Sequence, residues 1–258
     1  MSIDFSLDHE GIALITINRP EKRNALDALH YQGLSDAWTR VRDDPAVRVA
    51  IITGAGDKSF CAGADLKSWI GREVDPAELW LTQKGQLLNR GLEVWKPIIA
   101  AVNGACLGGG TTLLLATDMR VTVAEATFGV TEVKRGIVAG NGGTQRVIRQ
   151  LPHCIAMELL LCGSAISAAQ AERWGLVNAV VPRENLLEAA YGYARLAAAN
   201  APLAVQASKE LAIRGSDLPL SEGLRMEQFT NRILQATEDV KEGKAAFAEK
   251  RKPNFKGR

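Results

Sequence analysis

The chain has 258 residues, of which 47% are hydrophobic, enough for a substantial core in one large domain or in one domain with a small appendage. Its 31 Lys and Arg nearly balance 29 Asp and Glu, and the net charge of +2 gives no global field that would attract nucleic acid or a membrane surface. The N-terminus, Met1 to Asp4, lacks the basic and then hydrophobic region of a secretory signal, so a cytoplasmic protein is predicted.

Metal and nucleotide motifs are missing from the sequence. The four cysteines form no C-x-x-C pair, and two of them sit in apolar runs, which favours reduced, buried thiols over disulfides or metal ligands. These cysteines are Cys61, Cys106, Cys154 and Cys162. The three histidines, His9, His30 and His153, are not spaced for zinc. Gly54-Ala55-Gly56 is not followed by a third glycine at dinucleotide-binding spacing, and no Gly-Lys-Ser/Thr occurs.

The first elements in chain order are a hairpin, a helix and a strand. Two β-rich runs, Ile3 to Leu7 and Ile12 to Ile17, are separated by four turn-type residues and predict an antiparallel pair. Asp27 is a suitable N-cap for an amphipathic helix that ends near Pro45. The next strand is predicted at Val47 to Thr53.

A long mixed segment follows this strand. Phe60 to Leu66 is a small-residue turn that runs into a helical pattern, which taken alone is typical of an ordinary strand-to-helix connection. Residues Ser68 to Trp95 vary in charge and are rich in large apolar side chains, so we expect helices that border a pocket. Trp69, Trp80 and the polar Thr82-Gln83-Lys84 are candidates for its wall, and the two tryptophans are equally compatible with a plain core.

The centre of the chain combines an apolar run with three consecutive glycines. Ala100 to Val102 breaks at Asn103-Gly104 and restarts after Gly108-Gly109-Gly110 as a Leu-rich run, which predicts a buried strand, a tight loop and a helix. Backbone amides at a helix start are unpaired and carry the positive end of the dipole, so an oxygen with negative charge is favoured there. Although Pro97 to Thr117 is uncharged, a membrane span is rejected because each glycine would cost a helix about 1 kcal/mol.

The order strand, strand, helix occurs three times, starting at Val47, at Ile98 and at Val121. The third copy ends in a glycine-rich helix start at Gly140 to Gln145. No solenoid-type sequence repeat accompanies this order. The pattern predicts a layered α/β core.

One carboxylate stands out in the third copy. Glu132 lies between Phe128-Gly129-Val130 and Gly136-Ile137-Val138. A carboxylate in such a place is usually on the surface or ion-paired, and Lys134 and Arg135 are nearby partners. Local sequence alone therefore favours a structural role over a catalytic one.

From Pro152 onward the periodicity is helical, and four amphipathic helices are predicted near the C-terminus. They span Asn185 to Asn200, Leu203 to Arg214, Leu220 to Gln235 and Asp239 to Arg251. Such helix hairpins are suited to packing on their own core or on another subunit.

Three motifs, in this order and at this spacing, resemble the crotonase (enoyl-CoA hydratase/isomerase) family. They are Phe60-Cys61-Ala62-Gly63-Ala64-Asp65-Leu66, then Asn103-Gly104-x-x-x-Gly108-Gly109-Gly110, then Phe128-Gly129-x-x-Glu132 with Gly142-Gly143-Thr144-Gln145-Arg146. Each motif alone is weak. Together they form a strong signal, and the resemblance extends from Asn18-Arg19-Pro20 to Phe247-x-x-Lys250-Arg251.

The resemblance implies an architecture and an assembly. The fold class would be α/β, with a spiral core of repeated ββα units in residues 1–195 that holds the acyl-CoA site. Residues 196–258 would form a C-terminal helical region that builds a homotrimer, commonly within a hexamer made as a dimer of trimers. The implied partner is a coenzyme A thioester as substrate, with no other cofactor, no metal, no nucleic acid and no membrane.

The resemblance also implies where the thioester binds. The family holds the thioester carbonyl with two backbone amides, which map onto Ala64 and Gly109, in agreement with the anion-favouring helix start described above. Losing one such donor typically costs about 3 kcal/mol of transition-state stabilisation. Coenzyme A would contact Ala62, Asp65 and Leu66 at its adenine end. It would also contact Phe247 and Lys250, from the same chain or from a neighbouring subunit.

The resemblance leaves three alternatives for what the protein does with the thioester. Hydratases of the family carry two glutamates; Glu132 matches the second, whereas Thr112 occupies the position of the first. The leading hypothesis is a hydratase in which Glu132 is the acid/base and Thr112 holds the water. The second is a double-bond isomerase in which Glu132 moves one proton between carbons. The third is a non-catalytic acyl-CoA-binding member, against which the intact Glu132 and the intact glycines count.

Overall fold

The structure is a computed structural model, and it describes residues 3–69 and 87–258. The predicted pocket-wall residues Trp80 and Thr82-Gln83-Lys84 lie outside the described residues, and so does the side chain of Trp69. Within the described ranges, no helix is both long enough and apolar enough to cross a membrane.

The strands form two sheets. The larger sheet has six strands in the order β1 (Ile3–Leu7), β2 (Ile12–Ile17), β3 (Val49–Gly54), β5 (Ile98–Val102), β7 (Met119–Val123) and β10 (Ala179–Val181). The smaller sheet has four, in the order β4 (Ser59–Cys61), β6 (Ala105–Leu107), β8 (Thr127–Gly129) and β9 (Ala165–Ser167). Strand β1 runs antiparallel to β2, with Leu7 opposite Ala13, so the predicted hairpin is confirmed. The remaining pairs of the larger sheet are parallel.

Helices follow several of the strands and form most of the C-terminal part of the chain. They are α1 (Ala28–Asp43), α2 (Leu66–Trp69), α3 (Gly109–Leu114), α4 (Gly143–Gln150), α5 (His153–Cys162), α6 (Ala168–Arg173), α7 (Leu186–Ala198), α8 (Pro202–Gly215), α9 (Leu220–Leu234) and α10 (Glu238–Glu249). Short 3-10 helices lie at Pro20–Lys22, Leu88–Arg90, Glu132–Arg135 and Arg183–Asn185. Asp27 caps α1, accepting hydrogen bonds from the amides of Leu29 and His30, as predicted.

The repeated ββα unit is confirmed. The pairs β3–β4, β5–β6 and β7–β8 each give one strand to each sheet, and α3 and α4 follow the second and third pairs. One local prediction was incomplete, because the stretch between Val102 and Gly108 contains strand β6 and not only a tight loop. Three residues between glycines are too few to show a period in the sequence.

The core lies between the larger sheet and α7. All residues of β3 and β5 are buried, as expected for parallel strands that are covered on both faces. Ala190 and Ala194 of α7 are fully buried over this sheet, and their small side chains allow the helix to approach closely.

One salt bridge fixes the C-terminal helices to this core, and hydrogen bonds to Asp239 hold the chain end. The Lys209 ammonium of α8 donates to the Asp118 carboxylate over 2.7 Å, and Asp118 also accepts from the backbone amide of Ile98 over 2.7 Å. The chain end folds back on α10, where the buried Asp239 accepts from the amides of Lys256 and Gly257. Helix α10 therefore starts in a firmly held position.

The prediction of buried thiols was right for two cysteines and wrong for the other two. Cys61 and Cys106 are completely buried, and burial raises the pKa of the Cys61 thiol to about 12. Cys154 and Cys162 are exposed free thiols on α5. That helix presents only part of its surface to the core, so residues in an apolar run reach solvent there.

Candidate active site

The first element of the site is the backbone at Ala64. Leu26 donates its amide to the Gly63 carbonyl and accepts the amide of Asp65, each over 2.8 Å, in a parallel bridge between Leu26 and Ala64. Gly63 reaches this geometry with a φ of +94°, which favours glycine. The amide of Ala64 faces away from Leu26 and donates no hydrogen bond to any residue in the described ranges.

The second element is the N-terminus of α3. Gly109 is the first helical residue, so its amide has no partner within the helix. A Cβ placed on Gly109 would lie 3.4 Å from the Ala64 nitrogen, and a Cβ on Gly63 would lie 3.0 Å from the Gly109 nitrogen. The two amides therefore border the same small space, and Gly63 and Gly109 have no side chains that would fill it. Gly110 is needed for another reason, because a Cβ there would clash with the carbonyl oxygen of Cys61.

The third element is the Glu132 carboxyl group, at the start of its 3-10 helix. Its Oε1 lies 3.6 Å from the position of a Cβ on Gly108, the residue before the helix that carries the Gly109 amide. Its Oε2 is buried and has no hydrogen-bond partner among the described residues. Burial raises the pKa of this carboxyl group, opposed by backbone hydrogen bonds and by the positive charge of Arg135. A half-buried carboxyl group with one unpartnered oxygen can exchange a proton with a molecule in front of it.

The expected ion pair of Glu132 is not found. Arg135 donates instead to the carbonyl oxygen of Thr131 over 3.2 Å and to the Thr131 hydroxyl over 3.3 Å. The side chain of Lys134 lies against Gly163, where its Cε is 3.0 Å from the position of a Cβ. The ion pair that local sequence suggested does not form, because Arg135 and Lys134 make other contacts, although the positive charge of Arg135 still opposes the rise in the Glu132 pKa.

Thr112 lies one turn into α3 and is 1% exposed. Its hydroxyl donates to the Gly109 carbonyl over 2.9 Å, and Asn89 Nδ2 donates to the same hydroxyl over 3.3 Å. Asn89 is itself held by Arg146, which donates to the Asn89 carbonyl oxygen over 3.0 Å. Sequence reasoning missed Asn89, since an asparagine in a stretch without periodicity carries no signal of its own.

These elements enclose a cavity of about 260 Å³. It brings together six of the predicted site residues, namely Ala62, Ala64, Leu66, Gly109, Thr112 and Glu132. The lining also contains residues that the sequence did not predict as site residues, including Tyr31, Thr131, Arg135, Ile137, Val138 and Asn141. Two amide donors next to a carboxyl group form an arrangement suited to moving a proton close to a polarised carbonyl group.

Three of the predicted coenzyme A contacts do not line this cavity. Asp65 does not line the cavity, and its carboxylate pairs with Arg19 over 2.9 Å, which supports the loop that carries Ala64. Phe247 is 88% exposed on α10, and Lys250 caps the end of that helix. Neither of these two lines the cavity of its own chain.

Comparisons with known proteins identify the family of the chain. A sequence model described as Enoyl-CoA hydratase/isomerase matches residues 8–258. The (E)-benzylidenesuccinyl-CoA hydratase of Thauera aromatica is 45% identical over 249 residues, which cover 95% of this chain and 96% of the relative. The carnitinyl-CoA dehydratase of Proteus mirabilis is 40% identical over 264 residues, with 100% of both chains covered.

A solved structure gives the same result for the fold. The crystal structure of an enoyl-CoA hydratase from Bacillus anthracis matches with a TM-score of 0.93 at 37% identity, with 100% of both chains covered. The chain is thus an enzyme of the crotonase class. It belongs to the enoyl-CoA hydratase/isomerase family, whose members act on acyl-CoA thioesters.

Proposed function

We propose that the protein hydrates the conjugated double bond of a 2-enoyl-CoA thioester, with no cofactor beyond the coenzyme A of its substrate. The observation that carries this proposal is the unpartnered, buried oxygen of Glu132 beside two free backbone amides. A relative named as a hydratase and another named as a dehydratase favour hydration, or its reverse, over other reactions of the family.

The two amides supply the electrostatic part of the reaction. We assign the amides of Ala64 and Gly109 to the thioester oxygen, which gains negative charge when a nucleophile adds to the conjugated system. Donors that are fixed by the Leu26 bridge and by the start of α3 need no reorganisation as this charge develops. Removing one donor of this kind costs roughly 3 kcal/mol in transition-state stabilisation.

Glu132 supplies the proton transfers. As carboxylate it takes a proton from water while the water oxygen bonds to C3, and the electrons of the double bond move onto the thioester oxygen. The protonated carboxyl group then returns a proton to C2 as the carbonyl group re-forms. One carboxyl group can do both steps, and its raised pKa makes the carboxylate a stronger base toward the water proton.

Thr112 would orient the water as an acceptor. Its only proton is donated to Gly109, and one lone pair receives the Asn89 amide, so one lone pair of the hydroxyl stays available. A water that donates one proton to Thr112 and the other to Glu132 keeps its own lone pair free for attack on C3.

A double-bond isomerase is the second candidate. The observation in its favour is the nearly complete burial of Thr112, whose hydroxyl already makes two hydrogen bonds and needs no water for its own satisfaction. In that reaction Glu132 removes a proton from one carbon and returns it to another, with the same two amides on the thioester oxygen. A non-catalytic role is disfavoured, because leaving a buried carboxyl oxygen unpaired costs stability without a benefit to binding alone.

The test is turnover of a panel of enoyl-CoA esters, read separately for hydration and for isomerisation, with wild type and Glu132→Gln. Glutamine keeps the shape but cannot carry the proton, so the rate should fall roughly 10²- to 10⁴-fold. Glu158→Gln, on the exposed face of α5, is the matched control and should keep wild-type rates. Wild-type turnover by Glu132→Gln would refute both candidate reactions.

We further propose that the C-terminal helical region, residues 196–258, builds a homotrimer, alone or within a hexamer. Large apolar side chains on and next to α8 and α9 are exposed in the single chain and would be covered in such an assembly. They are Leu203, Ile213, Leu218, Leu220, Leu224, Phe229 and Ile233. Phe247 and Lys250, which do not reach the cavity of their own chain, would then contact coenzyme A in a neighbouring subunit, while Ala62, Asp65 and Leu66 contact it from within the chain.

A further inference from the structure

Arg135 places a guanidinium group on the same wall of the cavity as the catalytic carboxyl group. Its Nη1 lies 3.3 Å from the Thr131 hydroxyl. That hydroxyl oxygen is 3.5 Å from the position of a Cβ on Gly108, and Glu132 Oε1 is 3.6 Å from the same position. Among the described residues that line the cavity, Arg135 is the only cation.

Arg135 has no salt-bridge partner among the described residues, although its positive charge acts on the neighbouring Glu132 carboxyl group. Both of its hydrogen bonds use Nη1 and go to neutral oxygens of Thr131. No salt bridge joins it to an Asp or Glu in the described part of the chain, whereas Arg19, Arg183 and Arg214 each have at least one. A guanidinium group has five N–H donors in a planar fork, so Nε and Nη2 remain for a ligand.

The wall around Arg135 is apolar. Ile137 and Val138 line the same cavity and are 57% and 75% exposed. An uncharged fatty acyl chain would use this apolar surface but would make no use of the guanidinium group, which would stay hydrated. A ligand with an apolar body and an anionic end would satisfy both features.

We infer that the acyl group of the substrate carries a free carboxylate in addition to its thioester group, and that this carboxylate binds Arg135. The inference rests on the proposed function for the position of the thioester at Ala64 and Gly109. A planar carboxylate matches the guanidinium fork and can accept two parallel hydrogen bonds from it. The phosphates of coenzyme A are the other anionic source, but Arg135 belongs to the Glu132 wall, where the acyl group must lie for a proton to be moved on it.

The test is calorimetric binding of saturated thioesters, which cannot be hydrated or isomerised. The probes are glutaryl-CoA and adipyl-CoA, each compared with its ω-methyl ester, and free coenzyme A. Wild type should bind at least one of the two acids about tenfold more tightly than its ester, since one charge-assisted pair distinguishes them. Arg135→Met should abolish this preference, and Arg135→Lys should keep part of it, since an ammonium is a point charge without the fork.

Lys134→Met is the matched control, because it removes one positive charge from the same short helix on a side chain that lies against Gly163 and does not line the cavity. It should keep the preference for the acid. Equal binding of acid and ester by wild type at both chain lengths would overturn the inference. So would an Arg135→Met variant that weakens acid, ester and free coenzyme A alike, since that result assigns Arg135 to a phosphate. Binding is read without turnover, so failure of this inference is distinguishable from failure of Glu132 as the acid/base.

Discussion

The Asn89 side-chain amide donates to the Thr112 hydroxyl over 3.3 Å, from a segment that lies 23 positions earlier in the chain. Because the Thr112 proton is directed at Gly109 over 2.9 Å, the Asn89 contact fixes the hydroxyl as an acceptor toward the cavity. In the two-glutamate hydratases that the sequence resembles, a carboxylate stands at this position and is also an acceptor. A threonine held by an asparagine can therefore supply the same hydrogen-bonding role without a second charge.

Removing the Thr112 hydroxyl should separate the two candidate reactions. Thr112→Ala should slow hydration by the loss of about one hydrogen bond, on the order of 1 kcal/mol or somewhat more. Isomerisation needs no water, so its rate should hardly change. Thr112→Ser keeps the hydroxyl and loses only a methyl group, and it should retain most of the hydration rate. Stopped-flow rates of hydration of a 2-enoyl-CoA and of double-bond migration in a 3-enoyl-CoA measure the two effects, and equal losses in both would contradict the assigned role of Thr112.

Adjacent glycines in the triplet should respond differently to the same substitution. Gly109→Ala places a methyl group 3.4 Å from the Ala64 nitrogen, in the space assigned to the thioester oxygen, so turnover should fall by roughly 10²- to 10³-fold. The backbone around it has room, and circular dichroism should show a folded protein. Gly110→Ala meets the Cys61 carbonyl and should lower the thermal midpoint strongly. A folded Gly109→Ala variant with wild-type turnover would refute the assignment of the two amides.

Much of the fold could be predicted from the sequence, because its elements have strong local signals. The hairpin at Ile3 to Ile17 follows from alternation and turn residues, and the start of α1 follows from the capping chemistry of Asp27. The three-residue strands of the smaller sheet carry no such signal, so β6 was missed at the local level. Its existence depends on pairing with β4 and β8, which is a tertiary property.

The site could be predicted only in part, for the same reason. The glycines at the start of α3 indicate a helix N-terminus that favours an anion. The resemblance of the motifs to the family identified Ala64 and Glu132 as site residues. Local sequence nevertheless suggested an ion pair for Glu132. This pair does not form, because the direction of the Lys134 and Arg135 side chains depends on a short 3-10 helix. Asn89 reaches Thr112, and Arg135 reaches the cavity, through packing of distant segments, and neither contact has a sequence period.

The raised pKa of Glu132 predicts a pH-dependent cost to stability. Between the ordinary glutamate pKa and the raised one, the folded state binds more protons than the unfolded state, so the free energy of unfolding falls as the pH rises through this window. The cost is absent below the window and complete above it. Glu132→Gln should therefore match wild type near pH 4 and be more stable at pH 7.

Urea unfolding at a fixed protein concentration, repeated from pH 4 to pH 7.5, measures this difference. Glu158→Gln is again the control, and its stability difference from wild type should stay constant across the range. A Glu132→Gln variant that is less stable than wild type at pH 7 would show that the carboxylate is stabilised, and not penalised, by its surroundings.

The last prediction concerns subunits that share a site. Lys250 should bind the nucleotide end of coenzyme A, because an ammonium is a compact partner for phosphate. Lys250→Ala should therefore raise the KM for enoyl-CoA esters and leave the KM for the truncated N-acetylcysteamine thioesters unchanged. Light scattering of wild type should show a trimer or a hexamer, and a monomer at micromolar concentration would end the assembly proposal.

Mixed assemblies decide whether Lys250 acts across the interface. Lys250 lies at the end of α10 and does not line the cavity of its own chain, so we expect each cavity to receive the Lys250 of a neighbour. Glu132→Gln subunits have no proton carrier, and Lys250→Ala subunits bind coenzyme A weakly. When the two variants are unfolded together and refolded as mixed assemblies, some cavities combine an intact Glu132 with an intact Lys250 from the other chain. These cavities should restore turnover with a wild-type KM. If Lys250 serves its own chain, no cavity in the mixture contains both residues, and the measured KM stays at the value of the Lys250→Ala variant.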